Sequence, residues 1–237
     1  MQAVFGWLAM SAFAEPPRGE VILGWNGNTD HGYGFLTVQK ALVRGEDAHS
    51  SLVLRGTISE LYYTWNDTGV LNQVESPGVA VGPGFNFTTQ HFALGVGVGF
   101  EARRDSRTIG ADPVPLRTVE LDASLSGNVG WRPGAGTAFY GLATFSAVHQ
   151  NLWARIGAIQ QVIPITKRGT DVSLWLGPEA TTLGGAETHL FEIGGVAEIP
   201  LPEIHTAFSV RAGMSVQRLD DQTVRQPTVG VGMYWSY

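Results

Sequence analysis

The chain has 237 residues, 43% of them hydrophobic but only 15% charged, and 31 of its positions are glycine. Soluble domains carry about 25% charged residues and about 7% glycine, so charge is scarce and glycine is in excess. A mean hydropathy of +0.03 excludes a polytopic helical membrane protein, a net charge of −6 argues against a nucleic-acid binder, and the absence of cysteine excludes a disulfide framework, a thiolate metal site and a cysteine nucleophile.

Residues Met1 to Ala14 carry no charge and end in Ser11-Ala12-Phe13-Ala14. Ala12 and Ala14 fit the A-x-A pattern of a leader cleavage site. Glu15-Pro16-Pro17 follows directly and argues against an apolar first strand. The expectation is a signal peptide over 1–14, truncated or starting further upstream because no basic segment opens it, and one exported domain over 15–237.

From there the side chains alternate with period two, which puts successive residues on opposite faces of a strand. Val21, Leu23 and Trp25 share one face, and Tyr33–Val43 reads as a second, less regular strand. Leu52, Leu54 and Ile58 then oppose Val53, Arg55, Thr57 and Ser59. Residues 76–100 contain no Asp, Glu, Lys or Arg, but Pro83, Asn86 and Thr88-Thr89-Gln90-His91 break any apolar run long enough for a membrane helix. Val79, Val81, Phe85 and Phe87 alternate with glycines and Asn86, and after Thr88–His91 the residues Phe92, Leu94, Val96, Val98 and Phe100 do the same, so this segment is a hairpin. Val119, Leu121, Ala123 and Leu125 oppose Glu120, Asp122, Ser124 and Ser126. Further strands are expected at Thr137–Val148, Leu152–Val162, Asp171–Glu179, Glu187–Glu198 and Ile204–Gln217. The last strand carries Val229, Val231, Met233, Trp235 and Tyr237 on one face.

This gives about twelve strands of roughly 9–13 residues, the length that crosses a bilayer when tilted. Turns after the even-numbered strands are short, whereas Leu61–Ser76 and Arg104–Pro115 read as long connections. Short turns at one end and long loops at the other, with an even strand number, are features of outer-membrane barrels. The expected fold is therefore all-β: a transmembrane antiparallel barrel of up-and-down topology, with both termini on the periplasmic side. A soluble sandwich or lipocalin-like barrel also alternates, but its polar exterior is richer in Lys and Glu. Trp25, Phe35, Phe85, Phe100, Phe208, Trp235 and Tyr237 near strand ends are candidate interfacial girdle residues.

With the apolar set facing lipid, Arg55, Arg103, Arg155 and Arg211 face the lumen together with Glu101, Glu120, Asp122, Glu179, Glu192 and Glu198. A basic residue on the lipid face at mid-membrane costs about 2–4 kcal/mol, so this parity is self-consistent. These residues form either an ion-paired interior or a polar conduit. Trp153 and Trp175 share the lumen parity and are candidate contacts for a glucan, or ordinary packing residues. None of His31, His49, His91, His149, His189 and His205 lies in an H-x-S or G-x-S-x-G setting. The sequence therefore indicates no catalytic triad, no metal site and no cofactor.

The closing pattern at Trp235 and Tyr237 resembles the signal read by the bacterial barrel-assembly machinery. A wider resemblance rests on Leu152-Trp153-Ala154-Arg155-Ile156-Gly157, Leu174-Trp175-Leu176-Gly177-Pro178-Glu179, Leu183-Gly184-Gly185 and Glu192-Ile193-Gly194-Gly195, with Tyr33-Gly34-Phe35 near the start. In these segments and in layout the chain resembles the BcsS-type cellulose biosynthesis proteins of Gram-negative bacteria. The resemblance implies an outer-membrane protein associated with secretion of cellulose or a related exopolysaccharide, and no enzymatic activity. The implied partners are outer-membrane lipid, the assembly machinery, a glucan chain and components of cellulose secretion. A barrel of about twelve strands at ~40° tilt has a backbone diameter of roughly 24 Å and leaves ~10 Å between inward side chains, enough for one glucan chain. A non-conducting anchoring or assembly protein and a small-solute porin are the alternatives.

Overall fold

In a computed structural model the chain forms twelve strands, joined in sequence order into one closed antiparallel barrel. The structure describes residues 17–45, 49–67, 70–109, 112–134, 136–147, 151–167, 170–184, 189–219 and 222–237. The expected leader over 1–14 lies outside the described residues. The strands are β1 (Gly19–Gly27), β2 (His31–Arg44), β3 (Ser50–Asp67), β4 (Val70–Thr88), β5 (Phe92–Ile109), β6 (Asp112–Gly134), β7 (Thr137–Ser146), β8 (Asn151–Lys167), β9 (Thr170–Gly184), β10 (His189–Leu201), β11 (Thr206–Leu219) and β12 (Gln222–Ser236).

Closure removes the sheet edge that an open array of this size would expose. It is made by β12 on β1, from Glu20↔Ser236 to Gly27↔Val229. The backbone N–H groups of Arg18 and Gly19 donate to the Tyr237 carbonyl at 2.8 and 3.1 Å, and the Tyr237 N–H donates back to Gly19 at 3.0 Å. Gly19, at the start of β1, and Tyr237 thus lie at one end of the barrel, here the terminal end. A line of paired residues followed once around the barrel returns displaced by about 14 residues, which sets a tilt of about 40° and a backbone diameter of roughly 24 Å.

The alternation sorts as expected. Ile58, Phe100, Leu121 and Val231 are among the many large apolar side chains exposed on the outside, while Thr37, Ser59, Arg155, Ser209 and Thr228 are buried inside. The exposed charges Lys40 and Arg44 lie toward the terminal rim, and Glu60, Glu75, Arg104 and Arg225 toward the distal one. Trp131 stacks on Phe139 at 5.5 Å, and Trp235 lies 5.1 Å from Tyr237. With Phe92 and Phe208 they ring the terminal end, as an interfacial girdle requires.

Two expectations need correction. Leu61–Ser76 and Arg104–Pro115 are not long loops. β3 and β4 stay paired up to Asp67↔Val70, and β5 and β6 up to Ile109↔Asp112. The strands accordingly reach 23 residues in β6. β7 ends at Ser146, opposite Ser124, so β3 to β6 extend beyond the rest of the barrel as a paired ribbon. Phe35 is not a girdle residue: it shares the inward face of β2 with Thr37 and Gln39 and packs against the interior apolar cluster. Gly24, directly opposite, makes room for its ring; a Cβ there would lie 2.6 Å from it.

One local device occurs twice. Pro83 in β4 and Pro178 in β9 have no N–H to donate, and the pairing to β5 and to β8 is interrupted beside each. The glycines before them, Gly82 and Gly177, lie where a Cβ would collide with the backbone carbonyls of Val98 and Ala158. Gly-Pro therefore lets the neighbouring strand press inward at two places on the wall, which no residue with a side chain would allow.

Candidate functional site

The interior divides into levels. Ile22, Ala93, Ala138, Tyr140, Leu142, Trp153, Ile159, Trp175, Val196, Ala207 and Tyr234 form one apolar cluster, each at most 6% exposed; most of it lies toward the terminal end, and Trp153, with Leu183 packed beside it, carries it toward the distal one. Residues lining a water-filled passage of ~10 Å would stay accessible to solvent. These do not, so this level is a packed floor. The Trp175 ring lies under the Arg132 guanidinium at 5.4 Å and donates its N–H to Ser173 Oγ at 2.9 Å. Two carboxylates are enclosed here, Glu20 and Glu198, each 1% exposed.

Above the floor runs a charged belt. Arg55 donates from Nε and Nη2 to Gln39 Oε1 at 3.2 and 3.0 Å, and Gln39 donates in turn to Glu20. Arg55 also reaches past β4 and β5 to Ser126 on β6, at 3.1 Å. On the other wall Glu179 is a hub. It accepts from the Tyr140 hydroxyl at 2.5 Å, and lies 3.5 Å from Arg155 Nε and 3.1 Å from Arg211 Nε. Gly157 lies beneath the Tyr140 ring, which would meet any Cβ there. All three charged partners are 8% exposed or less. Such a buried cluster gains little net stability over an apolar one, but removing a single partner leaves an uncompensated charge.

Toward the distal end Arg103 and Glu101 are partly exposed, whereas Ser59, Ser76, Asp122, Glu192 and Thr228 stay buried. Arg103 pairs with Glu101 at 2.5 Å, and donates to the Ser76 carbonyl at 2.7 Å and to Ser59 Oγ at 3.2 Å. Glu120 lies opposite Arg103 and Asp122 opposite Glu101, with Ser146 donating to Asp122. Across the mouth Glu192 accepts from Thr228 at 2.5 Å and from Asn26 at 2.9 Å. Tyr33 and Phe35 lie between these groups, both half-buried, with ring centroids 5.7 Å apart and planes at 28°.

The residues singled out in the sequence thus all sit on inward faces. The fold brings Arg155, Arg211 and Glu179 into one cluster, and Glu101, Arg103, Glu120 and Asp122 into another. Trp153 and Trp175 belong to the same buried apolar cluster, at its two ends. Trp153 is opposite Leu183 and Trp175 opposite Gln161, about 25 Å apart along the sheet. They are 6% and 5% exposed, and Arg155 covers Trp153 at 5.1 Å. Sequence reasoning missed Glu20, Gln39, Asn26, Tyr140 and the Tyr33–Phe35 pair. The inward parity of Ile22, Gly24, Thr37 and Leu142 carried that signal. Among the described residues no group of acidic or histidine side chains could hold a metal ion.

The family model for cellulose biosynthesis protein BcsS matches residues 26–236. No curated protein matches the chain. Among solved structures, the chain is similar to the β domain of the Bordetella autotransporter BrkA, with 11% identity and a TM-score of 0.53 over 92% of this chain and 98% of that one. LpxR from Salmonella typhimurium is similar at 11% identity and a TM-score of 0.52, over 92% of this chain and 100% of that one. At these identities the likeness is one of fold.

Proposed function

The chain belongs to the cellulose biosynthesis protein BcsS family, and on that premise we propose that it is a non-enzymatic outer-membrane component of bacterial cellulose secretion whose own barrel does not conduct the glucan. The observation that carries the second half is the packed apolar floor. With an even strand number, and with the start of β1 and Tyr237 at one end, that end faces the periplasm, and the floor closes the route by which a glucan or a small solute would enter. The distal interior and the β3–β6 ribbon then face the outside. This favours an anchoring or assembly role beside the conduit over a glucan conduit or a small-solute porin. The charged belt serves as an ion-paired lining that sets the barrel's shape, without cofactor or reaction. Trp235 and Tyr237 serve as the strand read by the assembly machinery, since β12 closes the barrel.

The test is a deletion strain of a cellulose producer. Surface cellulose should fall on deletion and return with the wild-type gene, while leakage of small periplasmic dyes stays the same in all three strains. Cellulose output unaffected by the deletion would remove the assignment to cellulose secretion. Dye leakage that follows the gene would point to an open pore.

A further inference from the structure

We propose that the open edge of β6 at the distal rim, from Thr118 to Asp122, docks an extended segment of another protein, which adds to the barrel wall as a strand. This gives the anchoring role above a surface, but it rests on the fold alone. Among the described residues, three strands outlast a neighbour by several residues at the distal end: β3 beyond β2, β12 beyond β1 and β6 beyond β7. An unpaired edge is a template for another chain, and proteins blunt such edges with proline or cover them. Two of the three are managed in this way. On β3 the Thr64 N–H donates to the Asp30 carbonyl at 2.6 Å. On β12, Ser236 donates to His205 on the β11 side at 2.9 Å, and the register runs unbroken from there to Gln222. Odd-numbered residues of β12 therefore aim their backbone groups at β1. The first of them past the Gly27↔Val229 pair is Pro227, which has no N–H. Its neighbour Gln226 is tied to Asn28 and Asp30.

The β6 edge carries no such protection where it opens. Arg132 donates to His91 on the β5 side at 2.8 Å, while the Ala123 carbonyl accepts from Ala147, at the end of β7, at 2.9 Å. The register with β5 is unbroken from Trp131 to Thr118, so even-numbered residues bond to β5 and odd-numbered ones aim at the β7 side. Past Ser124↔Ser146 and the Ala123 bond, the next such positions are Leu121 and Val119, each with an N–H to donate. Pro113 and Pro115 stand only further up the strand. The side chains of Leu121 and Val119 are 76% and 68% exposed. Leu121 lies ten residues up β6 from the girdle residue Trp131, which at ~3.4 Å per residue and ~40° tilt is about 26 Å along the membrane normal. The apolar band of such a barrel is about 25 Å tall. The edge thus opens where hydrocarbon ends, and backbone groups beside lipid need partners.

Geometry and charge define the occupant. A second copy in the same membrane would run its β6 in the same direction, with its ~40° lean reversed at the contact, so the two edges would cross rather than pair. A segment of another protein is free to run antiparallel. On the outer face its side chains extend the apolar row of Leu121 and Val119. On the inner face they lie beside Glu120 and Asp122, with Glu101 and Arg103 behind them. Three carboxylates to one guanidinium favour Lys or Arg there. The fitting partner is a strand that alternates apolar and basic residues.

Full-length barrel in zwitterionic nanodiscs is titrated with a labelled peptide of alternating valine and lysine, about eight residues long, and read by fluorescence anisotropy against empty nanodiscs. Three control peptides alternate valine with glutamate, carry the valines and lysines in two blocks, or bear N-methyl groups on alternate residues. Only the first peptide should bind above the blank. Leu121→Pro removes a donor at the open edge and should weaken binding at least about tenfold, whereas Leu121→Ala keeps it and should cost less than about threefold. The mobility of unboiled samples checks the fold. Hydrogen exchange needs no variant: the Val119 and Leu121 amides should exchange faster than those of Glu120 and Asp122, and should slow when the peptide is added. Val119 and Leu121 amides protected in the barrel alone would show that the chain covers its own edge, and would overturn the proposal. So would a lack of binding by the first peptide, or equal binding by any control peptide or by folded Leu121→Pro barrel. Cellulose output does not enter these measurements, so this proposal and the cellulose reading fail separately.

Discussion

Replacing Trp175 by alanine tests whether the floor is a packed plug. The ring is 5% exposed and sits in the apolar cluster. Burying a Trp removes some 150–250 Å² from water, which at ~25 cal/mol/Å² corresponds to about 4–6 kcal/mol. Truncation of a buried Trp costs about 3–5 kcal/mol in practice. The Arg132 face contact and the bond to Ser173 fall within that loss. The expected loss is therefore about 4 kcal/mol, read as a lower urea midpoint for loss of the fast-migrating folded band, with the slope unchanged. The truncation also leaves a void on the order of 100 Å³, several times the ~30 Å³ share of a water molecule. Beside Arg132 and Glu198 that void hydrates, so the variant should pass small ions in planar bilayers. A midpoint within about 0.5 kcal/mol of wild type, together with unchanged conductance, would refute the plug.

Three further outcomes follow from the wall. Gly177→Ala, and equally Gly82→Ala, should leave little folded barrel in refolding assays, because the new methyl occupies the place of a neighbouring carbonyl oxygen; normal yields would show that the strands can spread there at little cost. Glu179→Gln should cost about 3–5 kcal/mol in urea titration, since two buried guanidinium groups lose their shared carboxylate; no change would mean that the belt is hydrated. Removing Tyr237, or Trp235 with it, should lower outer-membrane levels while export continues, because Tyr237 holds Arg18 and Gly19 at the closing seam; immunoblots of membrane fractions at wild-type levels would contradict this.

Strand number, closure and the inward charges were legible because lipid outside and a polar interior impose the same period-two pattern on every strand. That signal fades where lipid ends. Around Tyr62–Glu75 and Arg104–Arg107 polar residues interrupt the apolar parity, so no sustained alternation distinguishes a paired ribbon from a loop, and the backbone pairing is what sets it. Phe35 was misread because an aromatic near a strand end suggests a girdle, although its parity with Thr37 and Gln39 already placed it inside. The register shift between Ala41 and Val43 blurs that parity at the end of β2. The Glu179 cluster could not be read at all. It joins β7, β8, β9 and β11, and which residues meet depends on the stagger of the closed barrel, a property of no single strand.

The claim that the barrel is closed is tested most directly by single-channel recording of the purified wild-type protein in a planar bilayer, with and without cello-oligosaccharide. The floor predicts no sustained unitary conductance above the bare membrane, and no effect of the sugar on the current. A stable open channel that cello-oligosaccharide blocks would show that the glucan path runs through this barrel.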